Sequence, residues 1–275
     1  MNYLSIDHTF YLTHFCSSFY FHWDQSYAFL GESHNFWEIV YVEEGMVEVT
    51  EDANVYYMTA GQLLLHAPME FHKISSAGGT FPKGRIMSFS ASGNLPDVLK
   101  EGVFSLSQDE QIQYCNIHGM IYTLFHSNSP DITDVQAYAN ALSAFMLQLS
   151  HKQIHSDQLS TSHNTLLYSN AVAVMKENLC SNLTMVQLAD MCHISESYLK
   201  RLFNRFASIS PKAYYDQQRC NRIILMLQEG SSINEISDQM KFSSANYFSV
   251  FFKRMTGLPP ATFLRQVLNQ KCTTL

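Results

Sequence analysis

Ser197, Lys200 and Arg201 stand at i, i+3 and i+4 in one segment, and Arg205 follows a turn later. On a helix these residues share the face opposite Tyr198-Leu199 and Leu202-Phe203. Such a face can enter a DNA major groove, where Lys or Arg pairs with guanine N7 and O6. About one repeat further on, Ala245, Asn246 and Ser249 form a comparable face, followed by Lys253 and Arg254. Asn246 can read adenine through two hydrogen bonds, whereas Arg205, Lys253 and Arg254 suit phosphates. No Ser-His-Asp order, Walker loop or Gly-rich dinucleotide turn occurs in a suitable context.

The elements that must carry the DNA-facing residues are written twice. Thr184–Phe203, trailed by Pro211 and Tyr214, recurs as Ser232–Phe252, trailed by Pro260 and Phe263. The offset is 48 up to Ile194-Ser195 and 49 from Tyr198-Leu199 onward, so one residue is added just after the second turn. Each copy predicts a short helix, a tight turn and a second amphipathic helix. Thr184 caps Met185–Met191, and Ser195 caps the helix after it. Tyr247-Phe248 and Phe251-Phe252 are the expected buried set of the second copy. Two such units can occupy two successive major grooves.

Charge divides the chain in the same place. The net charge of −7 combines 5 Lys+Arg against 17 Asp+Glu in residues 1–160 with 12 against 7 in residues 161–275. An acidic module therefore precedes a basic one suited to phosphates. No long apolar run and no leader pattern is present, and the six scattered cysteines form no CxxC pair. A cytoplasmic protein with reduced thiols is expected, with no part in a membrane. Short strand-like runs broken by turns fill about residues 10–90, an all-β sandwich or barrel. Helical periodicity over about 109–151, broken at Ser129-Pro130-Asp131, predicts a helical hairpin, either a dimer surface or a lid. The expected division is a front domain 1–155, a polar linker 156–164 and an all-α domain 165–268.

The strings LTMVQLADMCHISESYLKRLFNRF and INEISDQMKFSSANYFSVFFKRMTGLPPATFLR resemble the DNA-binding domain of the AraC/XylS family of bacterial transcription regulators. That resemblance implies seven helices, with Pro211–Gln228 as the long connector between two helix-turn-helix units. It places Ser197, Lys200 and Arg201 at base-reading positions of the first unit, and Ala245, Asn246 and Ser249 at those of the second. It also implies double-stranded promoter DNA and RNA polymerase as partners, a homodimer, activation, and neither catalysis nor a cofactor. Three positions depart from the family pattern. His193 and Lys241 replace turn glycines and must hold a left-handed backbone, and Val250 replaces a basic residue.

His34-Asn35-Phe36-Trp37-Glu38 with Gly45, then Gly61, Pro68 and His72, resemble the two motifs of cupin barrels. A cupin-like front domain implies a small-molecule effector in a pocket, for which His22, Trp37, Glu38, Tyr41 and His72 are candidates. Aromatic rings that stack on sugar faces make a carbohydrate effector one reading. Cupin enzymes hold a metal, and by that resemblance His34, Glu38 and His72 could supply three ligands to a hard or borderline ion. Glu32 stands in place of the first motif's leading His, and the regulators resemble the fold without its metal, so no metal is expected. The rival readings are a cupin-type metalloenzyme with a helical appendage and a DNA-binding dimer that needs no effector.

Overall fold

A computed structural model describes residues 9–152 and 159–265. Contacts divide the chain into Met1–Thr161 and Ser162–Leu275. The first unit carries eight strands: β1 (Phe10–His22), β2 (Trp37–Glu44), β3 (Met46–Glu51), β4 (Asn54–Thr59), β5 (Gln62–His66), β6 (His72–Ser76), β7 (Lys83–Gly93) and β8 (Phe104–Ser105). They form one sheet in the order β1-β7-β2-β5-β8 and a second in the order β4-β3-β6. The expected barrel is therefore an open pair of facing sheets. Among the described residues, ladder hydrogen bonds do not run round into a ring, and isolated bridges at Ala28↔Ser75 and Glu32↔His72 extend the free edge of β6.

Strand β2 is apolar on both faces, and alternation sends its side chains two ways. Val40 and Val42 join Val47, Val49 and Ile74 in a core between the sheets. Trp37, Ile39 and Tyr41 point outward instead, into a second core beneath the helices α1 (Gln108–Phe125) and α2 (Ile132–Leu149). These two helices are the expected hairpin. They cover the larger sheet with Tyr114, Ile117, Ile121, Leu142, Phe145 and Leu149. A capping box of Ser107 and Glu110 starts α1, and Asp131 caps α2 after the Pro130 break. Part of the expected linker lies outside the described residues. Leu159 and Ser160 pair along β4, so they belong to the front unit.

The second unit contains α3 (His163–Glu177), α4 (Met185–Met191), α5 (Glu196–Phe206), α6 (Pro211–Gln228), α7 (Ile233–Gln239) and α8 (Ala245–Thr256). Residues 260–265 are also helical, so the described residues of this unit contain parts of seven helices. Pro211 opens the connector α6 at a position where a missing N–H costs nothing. The two α-turn-α pairs repeat in their backbone bonds as well as in sequence. His193 N–H donates to Asp190 O at 3.0 Å and Ile194 N–H to Ala189 O at 3.0 Å. The matching pairs are Lys241 to Asp238 at 3.1 Å and Phe242 to Ser237 at 2.9 Å. His193 and Lys241 hold φ of 56° and 52°, the left-handed conformation expected of them.

Candidate nucleic-acid interface and ligand pocket

Leu199, Leu202, Phe203 and Phe206 pin α5 to the interior, where Phe203 and Phe206 meet Tyr168 of α3. That leaves Ser197, Lys200, Arg201, Asn204 and Arg205 on the exposed side. Ser195 accepts from Tyr198 N–H at 3.2 Å and fixes where the helix begins. Lys200 Nζ reaches Glu196 Oε1 at 2.5 Å across one turn, a surface pair worth little that an incoming phosphate or base can displace. The Arg201 guanidinium lies over the Tyr198 ring at 4.4 Å, which holds it upright on the outer face.

The second outer face is built differently. Ser244 caps α8, so Ser243 is the residue added after the second turn. Phe248, Phe251 and Phe252 are buried against Ile223, Leu227 and Ile236. Tyr247, expected in the core, is 54% exposed. The matching Tyr198 hydroxyl donates to Asn164 of α3 at 2.5 Å, a contact with no counterpart for Tyr247 among the described residues. Ala245 and Asn246 face outward, as does Val250 at 59% exposure. Ser249 Oγ donates to Ala245 O at 2.9 Å, so its proton is already used within the helix. Lys253 and Arg254 are exposed near the helix end. Arg254 Nη2 also reaches Asp216 Oδ2 of α6 at 3.2 Å, and Asp216 pairs with Lys212 as well. No sequence pattern pointed to that link, because its partners are 38 positions apart.

In the front unit a pocket of about 170 Å³ opens between the sheets, room for one small molecule. Phe19, Trp23, Tyr27, Phe29, Val40 and Ile86 supply its apolar wall, and Glu32, Glu38, His66 and His72 its polar end. Of the pocket residues expected from sequence, Glu38 and His72 line it. Trp37 and Tyr41 do not, since strand alternation turns them into the core beneath α1 and α2. His22 does not either; it ends β1 on the exposed side, one place beyond the buried Phe21. Tyr27 and Phe29 escaped notice because they lie on an irregular segment without periodicity.

Burial pushes the Glu38 carboxyl up to about 7, although a hydrogen bond from Ser88 at 3.1 Å opposes this. Burial drives His66 down to about 3 and His72 down to about 2, aided by the neighbouring imidazoles. The two imidazoles are therefore neutral at neutral pH. Their rings stack 4.2 Å apart, and His66 Nδ1 meets Glu51 Oε1 at 3.1 Å.

No helix of the described residues is long and apolar enough to cross a membrane. Residues 15–115 match the family model of the AraC-like ligand binding domain, and residues 188–266 match that of a helix-turn-helix domain. The chain is similar to the uncharacterized HTH-type transcriptional regulator YfiF of Bacillus subtilis, 24% identical over 272 residues, 93% of this chain and 86% of the relative. It is equally similar to the HTH-type transcriptional activator RhaR of Escherichia coli, 24% identical over 262 residues, 89% of each chain. A crystal structure of ToxT from Vibrio cholerae with bound unsaturated fatty acid matches 92% of this chain and 96% of its own, at 13% identity and a TM-score of 0.37.

Proposed function

We propose, for a chain that belongs to the AraC/XylS family of transcription regulators, that α5 reads bases while α8 serves chiefly as an anchor. The chain is a DNA-binding regulator whose front unit is of the ligand-binding type. The observation that carries the division is the contrast between the two outer faces. On α5, Ser197, Lys200 and Arg201 present long cationic donors and a hydroxyl. On α8, Ala245 and Val250 offer no hydrogen bond, and the Ser249 proton is already used. Asn246 is then the main base reader of α8. Arg205, Lys253 and Arg254 take phosphates, which position the protein and carry no sequence information.

The front unit, Met1–Thr161, senses the effector, and the unit Ser162–Leu275 binds DNA. Its pocket lining contains aromatic rings, two carboxylates and two histidines and no Lys or Arg. That lining suits a neutral hydroxyl-rich molecule such as a sugar better than an anion. Effector binding shifts the population of a homodimer between arrangements of its DNA-binding units, and RNA polymerase is recruited in one of them. The setting is the cytoplasm, the outcome is activation, and no catalysis is involved.

Selection of bound duplexes from a random pool tests the division, using the full chain and its Arg201→Ala and Asn246→Ala variants. Two half-sites spaced by about one helical turn are expected. Arg201→Ala should relax a base position in one half-site and cost about 1–3 kcal/mol. If Asn246→Ala relaxes more positions than Arg201→Ala, the roles of the two helices are reversed.

A further inference from the structure

The polar end of the pocket is built from histidines that are each satisfied on one nitrogen. His34 Nδ1–H donates to Phe36 O at 3.0 Å, and His72 Nδ1–H to Glu70 O at 3.3 Å. His66 Nδ1–H faces the Glu51 carboxylate at 3.1 Å. Each bond selects the tautomer that leaves a lone pair on Nε2. All three Nε2 atoms are buried and have no hydrogen-bond partner among the described residues. Protein interiors leave few polar atoms without a partner, and here three imidazole nitrogens without one gather at one end of the pocket.

The three acceptors also converge. His72 Nε2 lies 3.5 Å from Glu38 Oε1, and His34 Nε2 lies 3.9 Å from Glu38 Oε2. One ligand atom from each of Glu38, His66 and His72 can be chosen so that all lie within 4.8 Å of one another. Two ligands about 2.1 Å from one ion at a tetrahedral angle lie roughly 3.4 Å apart, close to the spacing of His72 Nε2 and Glu38 Oε1. Glu51 behind His66 forms the carboxylate–histidine pair that commonly orients a metal ligand. His34, Glu38 and His72 stand at places that the cupin motifs mark, whereas His66 does not, so His66 is the ligand that this chain adds where Glu32 replaces the first motif's leading His.

We propose that Glu38, His66 and His72, with His34 beside them, hold one divalent transition-metal ion of the zinc class. Imidazoles with a single carboxylate favour zinc, cobalt or nickel over magnesium or calcium. Glu38 and His66 belong to the larger sheet and His72 to the smaller, so the ion joins the two sheets at the pocket's end. The site stands independently of how α5 and α8 read DNA.

Metal titration of the chelator-stripped full chain tests this, with Zn²⁺ and Co²⁺ as the probes. About one ion per chain, a rise in melting temperature and visible cobalt bands of a histidine-bound centre are expected. His72→Asn should remove the ion while leaving the melting temperature of the metal-free chain nearly unchanged. Glu51→Gln should keep the stoichiometry and weaken cobalt about 10–100-fold. A wild-type chain that retains no ion and shows no cobalt bands would overturn the site, leaving the pocket's end to water. A folded His72→Asn chain that binds as much metal as wild type would also overturn it, the ions then sitting on surface histidines. Should His72→Asn fail to fold, His34→Asn and the wild-type cobalt spectrum decide between the same two outcomes.

Discussion

Arg219 Nη2 donates to the Met240 carbonyl at 2.6 Å, so a cation of the connector α6 caps the first helix of the second repeat. The same guanidinium reaches Leu179 O at 3.1 Å and Asn182 Oδ1 at 3.3 Å, in the segment that leads into α4. One side chain thus ties the entry of the first repeat to the turn of the second. It is 2% exposed and lies over the Phe242 ring at 4.7 Å.

Arg219→Leu leaves the Met240 and Leu179 carbonyls without this donor, and about 3 kcal/mol of local stability should be lost. Amide hydrogen exchange in the full chain should show faster opening of α7 and α8. Arg219→Lys should recover only part of the protection, because an ammonium cannot fork to both segments. Unchanged exchange in Arg219→Leu would mean that the aromatic packing alone holds the repeats.

Asp216 neutralises Lys212 and Arg254, two cations close to the α8 face. Asp216→Asn should therefore strengthen binding to any duplex and steepen the salt dependence by up to about two units of slope. Binding isotherms at several salt concentrations provide the check. A weaker or unchanged slope would place both cations away from DNA.

Lys253→Ala should weaken binding to specific and random duplexes alike, and make the salt slope shallower by about one. Loss restricted to one sequence would make Lys253 a base reader instead.

His193 and Lys241 hold left-handed backbone at φ of 56° and 52°. That conformation strains a side-chain-bearing residue by roughly 1–2 kcal/mol, whereas glycine adopts it freely but loses more chain entropy. His193→Gly and Lys241→Gly should each stabilise the second unit by up to about 1 kcal/mol, read as a higher melting temperature. A lower melting temperature would show that the native side chains make compensating contacts.

His118 on α1 is fully buried, and burial lowers its pKa to about 4. The unfolded chain then binds more protons than the folded one between about pH 4 and 6.5. Stability consequently rises with pH across this window, and this contribution is lost as pH falls through it. The amount over the whole window is on the order of 3 kcal/mol. His118→Phe should shrink the difference between melts at pH 5 and pH 7.5. The same pH difference in the variant as in wild type would assign the effect to other groups.

The DNA-binding half was legible because its signals are local. Caps at Thr184 and Ser195, apolar spacing of three and four, and the added residue near Ser243 all act within one or two turns of chain. Helical geometry then places Lys200 and Arg201 outward wherever the helix lies. The helical hairpin was equally readable from its period and from the Pro130 break.

The front unit kept its arrangement hidden for a physical reason. Strand β2 is buried on both faces, so composition could not separate Trp37 and Tyr41, which pack under the helices, from Glu38, which faces the pocket. Whether the strands closed into a barrel depended on pairings between distant segments. The meetings of Glu51 with His66 and of Asp216 with Arg254 depend on elements brought together only by packing. The sequence by itself determined the duplicated DNA reader and most of what its helices present, Tyr247 excepted. Only the tertiary structure decided how the polar end of the pocket is assembled, because its members converge from separate strands with no shared period.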